Sequence, residues 1–196
     1  MRNWILFSAL GLAVVAGAYL SFELFGPKTP LPRYAQSSIG GDFTLRSVDG
    51  EISLSDYQGE VVMVYFGFMS CPDVCPTSMG VMGTAIKQLS PAQQQKVRGL
   101  FISVDPQRDT PEELHAYTQY FSDRIFGATG TQPQIDAIIK QYGAYYSFVP
   151  MEDSALGYTV DHSARIYLID PQGDLADVLA HDINPVELHE RLAAYL

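Results

Sequence analysis

Cysteine is nearly missing from this chain: Cys71 and Cys75 are the only two in 196 residues. So few thiols exclude a disulfide-stapled scaffold, and a bridge between these two would close too short a loop to constrain the unfolded chain much. No cysteine lies near residue 20, which excludes a thioether-linked lipid there. Positive charge is scarce as well, with 12 Lys and Arg against 22 Asp and Glu and a net charge of −10. Nucleic-acid binding needs cations to neutralise phosphates, so that class is excluded. The acidic balance suits plain solubility or partners with basic patches. Internal repeats and low-complexity tracts are absent too. Uncharged apolar runs of membrane length are limited to one, residues 4–22, with Arg2 before it.

As a helix rising ~1.5 Å per residue, residues 4–22 reach about 28 Å, close to the hydrocarbon thickness of a bilayer. Trp4 at one end and Tyr19 with Phe22 at the other suit the two interfaces. Ala16-Gly17-Ala18 is a tolerable cleavage site, but the apolar run exceeds the usual core of a cleaved signal peptide. We therefore expect a transmembrane anchor in residues 1–25, with Arg2 inside and the rest outside the cytoplasm. Residues 26–41 carry Pro27, Pro30, Pro32, Ser37 and Ser38 and read as a linker. Residues 42–196 form one domain with ample core. Outside the cytoplasm the medium is oxidising, so the cysteine pair rests as a disulfide unless reduced or occupied by metal.

Within the domain, 42–57 reads as a hairpin turning at Asp49-Gly50. Residues 61–68 are too uniformly apolar to face water and predict a central strand, and 97–104 predict the next. A helix is expected over 76–89, with Pro76 in its first position and Cys75 as its cap. Thr110-Pro111-Glu112-Glu113 opens another with a reciprocal cap. A third helix is expected over 132–142. Residues 159–169 and 175–180 predict a closing hairpin around Asp170-Pro171-Gln172-Gly173, and 185–196 a last helix. This order gives a mixed sheet with helices on both faces, the thioredoxin-like α/β plan. Chemistry then gathers where parallel strands end, after 61–68 and after 97–104.

Cys71 and Cys75 sit where that central strand hands over to a helix, whose positive dipole end favours thiolates. Such thiolates either attack disulfides or bind a soft metal, with sulfur-to-metal distances of about 2.3 Å by analogy with zinc. Two sulfurs underfill a metal site, and a histidine is the natural third ligand. His115 and His189 lie in helices with polar neighbours and read as surface residues; His181 follows the last strand. His162 stands in Val160-Asp161-His162-Ser163, just before the strand at 166–169, after an acidic segment (147–158) read as flexible. Asp161 or a backbone carbonyl is the expected partner fixing its tautomer. Met69, Met79 and Met82 read as core rather than as extra ligands.

Three segments carry a family resemblance: Cys71-Pro72-Asp73-Val74-Cys75-Pro76-Thr77, the loop Ser103 to Pro111 containing Asp105, Arg108 and Asp109, and Tyr158-Thr159-Val160-Asp161-His162-Ser163. In order and spacing they resemble the signatures of the Sco (SenC) family of membrane-anchored copper proteins, over about 43–196. The resemblance implies that Cys71, Cys75 and His162 are copper ligands. It further implies assistance in assembling the dinuclear copper centre of cytochrome c oxidase. Partners would be the copper-accepting oxidase subunit and an upstream copper donor or thiol reductant, met from a bacterial cytoplasmic membrane with the domain in the periplasm. Asp105, Arg108 and Asp109 read either as a capped helix start with a local ion pair or as residues acting beside the copper site. A thiol–disulfide reductase remains the rival reading, although it needs neither the three-residue spacing nor His162. A thiol peroxidase fits less well, with Pro72 where a threonine is wanted and Arg165 one residue late for the expected strand face.

Overall fold

The computed structural model describes residues 39–196. The anchor expected in 1–25 and nearly all of the linker lie outside the described residues, and among those described no helix is long and apolar enough to cross a membrane. The elements run β1 (Thr44–Ser47), β2 (Gly50–Ser53), a 3-10 turn (Leu54–Tyr57), β3 (Val61–Gly67), α1 (Val74–Lys87), α2 (Pro91–Gln94), β4 (Val97–Ser103) and α3 (Pro111–Gln119). They continue with β5 (Ile125–Ala128), α4 (Gln132–Gln141), β6 (Tyr146–Pro150), β7 (Tyr158–His162), β8 (Arg165–Ile169), β9 (Leu175–Ala180) and α5 (Pro185–Ala193).

Every residue of β3 is buried, because it pairs in parallel with β4 on one side and antiparallel with β8 on the other. The sheet order is β5-β4-β3-β8-β9, a parallel half joined to an antiparallel half, as the element order predicted. Alternation along β3 sends neighbouring aromatics to opposite faces. Tyr65 stacks on Phe101 at 6.1 Å between centroids, and Phe101 meets Tyr117 on α3. Phe66 instead meets Tyr142 just past α4, and Tyr167 on β8, edge to face. Apart from half-buried Tyr117, these rings are almost wholly buried, and each buried ring contributes about 1.5–3 kcal/mol of apolar transfer energy.

Local rules account for the helix starts. Thr110 Oγ1 accepts from the Glu113 N–H at 3.3 Å and the Glu113 carboxylate accepts from Thr110, with Pro111 at the first position. At the other end of the sheet, where β3 and β4 begin, Glu60 holds both Arg98 at 2.9 Å and Arg124 at 3.0 Å. Arg98 lies between the rings of Tyr57 and Phe126. This cluster braces the end of the sheet away from the cysteine turn.

Four expectations need correction. Helix α1 begins two residues early, with Asp73 as its cap and Cys75 inside its first turn. Proline is tolerated there because first-turn N–H groups have no partner within the helix, and the ladder starts with Thr77 N–H on the Asp73 carbonyl. Strand β5 was not anticipated; four residues with a glycine carry too little pattern. Gly127 is needed there, since a Cβ would lie 2.6 Å from Leu114 Cβ. The segment 147–158 is not simply flexible, because Tyr146–Pro150 pairs with Tyr158–His162 as a separate two-stranded sheet. The arm expected over 159–169 is accordingly two strands, broken at Ser163, whose carbonyl accepts from Arg165 N–H at 3.0 Å.

Candidate metal centre

The turn after β3 and the end of β7 converge. Ligand atoms of Cys71, Cys75 and His162 all lie within 4.8 Å of one another, the one such group of three or more His, Cys, Asp or Glu side chains among the described residues. Both cysteines are free thiols. Cys71 precedes α1, and its sulfur accepts from the Cys75 N–H at 3.5 Å, standing where a capping oxygen would normally stand. Cys75 is fully buried in the first turn, and its sulfur lies 3.4 Å from His162 Nε2. The imidazole is held edge to face by Tyr65 at 6.1 Å and Phe68 at 5.7 Å.

The two thiols are unequal. A hydrogen bond from the Cys75 thiol pulls the Cys71 pKa down to about 4, against the opposing effect of burial. His162 and the N–H groups of Asp73 and Cys75 add to the depression. Cys75 is pushed far up by donating a hydrogen bond to Cys71, by burial and by the charge on Cys71. The pair therefore holds a single proton between its sulfurs across the neutral range, a thiolate beside a thiol. Burial, with Cys75 as neighbour, also keeps the Tyr65 phenol protonated.

Asp161 does not orient His162. Along a strand successive side chains alternate, so Asp161 is exposed while His162 faces inward. His162 Nδ1 is buried with no hydrogen-bond partner among the described residues. His162 itself is the last residue of a paired strand rather than a turn residue. His181 is exposed, His115 and His189 are half-buried rather than on the surface, and none of the three joins the group. Met79 and Met82 are wholly buried in the core as expected, and half-buried Met69 packs against it. Arg165 is exposed at the start of β8.

The loop after β4 supports both halves. Asp109 accepts from the Met69 N–H at 3.0 Å and from Ser103 Oγ at 2.5 Å, which fixes the chain just before Cys71. Burial pushes the Asp109 carboxyl up, opposed by those two donors. Asp105 and Arg108 form the ion pair expected, at 2.5 Å, and also reach Tyr158.

Sequence reasoning passed over Gly67. A Cβ there would lie 2.8 Å from Cys75 Sγ, 2.9 Å from Phe101 Cε2 and 3.0 Å from Tyr65 Cε1. A glycine ending a buried strand next to a cysteine turn is the signal that marks such a close approach. Gly67→Ala is expected to destabilise the reduced protein by about 1–3 kcal/mol through overpacking against a sulfur that cannot retreat. Urea unfolding of the two proteins checks it, and equal midpoints would show that the turn gives way freely.

The family described as SCO1/SenC matches residues 32–196. The chain is 36% identical over 190 residues to the SCO2-like protein of Rickettsia felis, covering 93% of this chain and 92% of that protein. Bradyrhizobium japonicum ScoI, solved with copper bound, superposes with a TM-score of 0.73 at 34% identity, over 81% of this chain and 99% of that one. Yeast Sco1, also solved with copper bound, gives 0.71 at 34% identity over 80% and 87%. This chain belongs to the SCO1/SenC family.

Proposed function

We propose that the chain carries copper as cargo, held by Cys71 Sγ, Cys75 Sγ and His162 Nε2, and delivers it to the dinuclear copper site of cytochrome c oxidase. The observation that carries this reading is the convergence of two sulfurs and one imidazole within 4.8 Å. Soft thiolates favour Cu(I), while an added imidazole suits Cu(II) as well. Loading releases the proton that Cys75 holds, so uptake is coupled to pH. The copper-bound forms of the Bradyrhizobium and yeast relatives support the same cargo. In this reading residues 4–22 tether the domain to a bacterial cytoplasmic membrane and residues 26–41 hold it in the periplasm. The partners are a copper-accepting oxidase subunit and an upstream copper donor or thiol reductant.

A second reading is favoured by the thiol asymmetry: reduction of a partner's disulfide. The Cys71 thiolate attacks one sulfur of that disulfide, and the other leaves as a thiolate. Cys75 then gives up its proton and attacks Cys71, releasing the partner's second sulfur and leaving a Cys71–Cys75 disulfide. The same residues can serve both acts, preparing a target and then loading it, once the upstream thiol reductant has returned the Cys71–Cys75 disulfide to two thiols.

Titration of the reduced full-length chain in detergent with copper tests the main reading. One copper per chain is expected, with sulfur-to-copper charge-transfer absorbance for Cu(II). His162→Ala should weaken Cu(II) by more than the roughly 10–100-fold that loss of a ligand's supporting partner costs, and Cu(I) by less. Disulfide formation between the cysteines should proceed as before. An unchanged Cu(II) affinity and spectrum in that variant would remove His162 from the ligand set.

A further inference from the structure

The strand that carries His162 belongs to no large sheet. β6 and β7 pair only with each other, so no backbone ladder ties β7 to the five-stranded sheet that carries the cysteine turn. Beyond the short chain link through Ser163 and Ala164 into β8, its position depends on side chains. Tyr158, Val160 and His162 are alternate residues, so all three face the same side of β7. Val160 is buried in the middle, and the two ends are held by polar and aromatic contacts.

At the first end stands the loop that follows β4. The Arg108 guanidinium lies 3.8 Å over the Tyr158 ring, and its Nη1 donates to the carbonyls of Tyr158 at 3.0 Å and Leu156 at 3.4 Å. Its Nε donates to Asp105 at 2.5 Å. The other oxygen of Asp105 accepts from the Tyr158 hydroxyl at 2.8 Å, and the Asp105 side chain is fully buried. One arginine thus grips a ring, two carbonyls and a carboxylate, a combination that needs the planar fork and that lysine cannot reproduce. One residue further on, Asp109 holds Met69 beside the cysteine turn. A single loop therefore touches both halves of the donor set.

We propose that Arg108, seated by Asp105, is a positioning residue that latches the β6–β7 hairpin and so sets where His162 lies over the two sulfurs. From Tyr158 to His162 a strand spans about 13 Å, short enough for a displacement at the latch to reach the imidazole. The copper consequence rests on the ligand reading proposed above; the placement of the imidazole does not.

The test uses the reduced full-length chain in detergent with Arg108→Ala, Arg108→Lys and Tyr158→Phe, the last retaining the ring while losing only the bond to Asp105. Without metal, the His162 ring proton resonances are expected to shift in all three, because the imidazole leaves its place against Tyr65 and Phe68. With Cu(II), Arg108→Ala should lose about tenfold in affinity, in the range set by partners that orient ligands. Arg108→Lys should lose nearly as much and Tyr158→Phe less. In a His162→Ala background Arg108→Ala should add no further loss, since the group it positions has gone. Ring resonances that stay put in the folded variants overturn the latch, as does an equal copper loss with and without His162 where His162→Ala itself weakens copper. Should Arg108→Ala fail to fold, Tyr158→Phe decides by the same criteria. If the ring moves but copper affinity never depends on His162, the ligand reading falls and the latch stands.

Discussion

Cys71→Ser or Cys75→Ser in the reduced chain is expected to cost more copper affinity than any other single substitution. Serine keeps nearly the same shape but presents a hard oxygen that stays protonated at neutral pH, whereas Cu(I) seeks soft thiolate. Four-ligand thiolate and imidazole sites bind zinc with roughly 10–16 kcal/mol, or about 3–4 kcal/mol per ligand, which converts to about 10²–10³-fold in affinity. Cu(I) should lose at least that much with either sulfur removed, and the charge-transfer band of the Cu(II) form should vanish or move. Competition against a chromogenic Cu(I) chelator measures the first effect, and visible absorbance the second. Since Cys75 is fully buried and Cys71 is only 9% exposed, a serine variant that still unfolds at the parent's urea midpoint is the proper comparison. A variant that held Cu(I) as tightly as the parent would place the cargo elsewhere.

The second large effect is in the pH dependence of the thiols. An ordinary cysteine reacts with iodoacetamide more slowly as pH falls below 9, because thiolate is lost. Cys71, with its pKa pulled down to about 4, should alkylate at a nearly constant rate from pH 5 to pH 8. The rate at pH 7 need not be high, since intrinsic nucleophilicity falls with pKa by a Brønsted slope of about 0.4–0.5. Flatness with pH, rather than speed, is the signature. Cys75 should resist modification throughout, being buried and holding its proton. Single-site mass analysis after timed alkylation reads both.

Stability should follow the same titrations. Between pH 4 and about 8.5 the folded pair has lost one proton and the unfolded pair none, so the unfolded state binds more protons and stability rises with pH. The contribution of Cys71 is therefore fully present above the unfolded thiol pKa and lost as pH falls through its folded value. Above the unfolded thiol pKa the sign reverses, because Cys75 keeps its proton when folded. The difference in melting temperature between the reduced protein and Cys71→Ser should widen from pH 5 to pH 8. A constant difference would mean that Cys71 carries no special charge in the fold.

How far the chain could be read from its residues depends on how local each feature is. The buried strand at Val61–Gly67, the capped start of α3 and the mixed sheet follow from patterns in short windows: continuous apolar character, a reciprocal cap and the order of elements. The three donors were nameable because two cysteines and one turn-adjacent histidine left few alternatives, and because three segments resembled one family. Strand β6 and the separation of β7 from β8 were not legible. Tyr146–Pro150 is half-exposed, so its pattern lacks a clean alternation, and its partner strand was masked by continuity into 165–169.

What the sequence by itself determined is the chemistry available: two thiols next to the start of a helix, a histidine nearly ninety residues later, and an acidic domain with no cations to spare. Tertiary structure decided how those groups act. Packing buried Cys75 against Gly67 and left its proton shared with Cys71, so two identical side chains became a thiolate and a thiol. Strand parity turned Asp161 outward and His162 inward, and Arg108 met Tyr158 across 50 residues of chain. Sequence spacing governs only contacts within a turn or a strand. Burial, which sets pKa values, and long-range contacts, which set the position of a ligand, exist only once the chain has closed on itself.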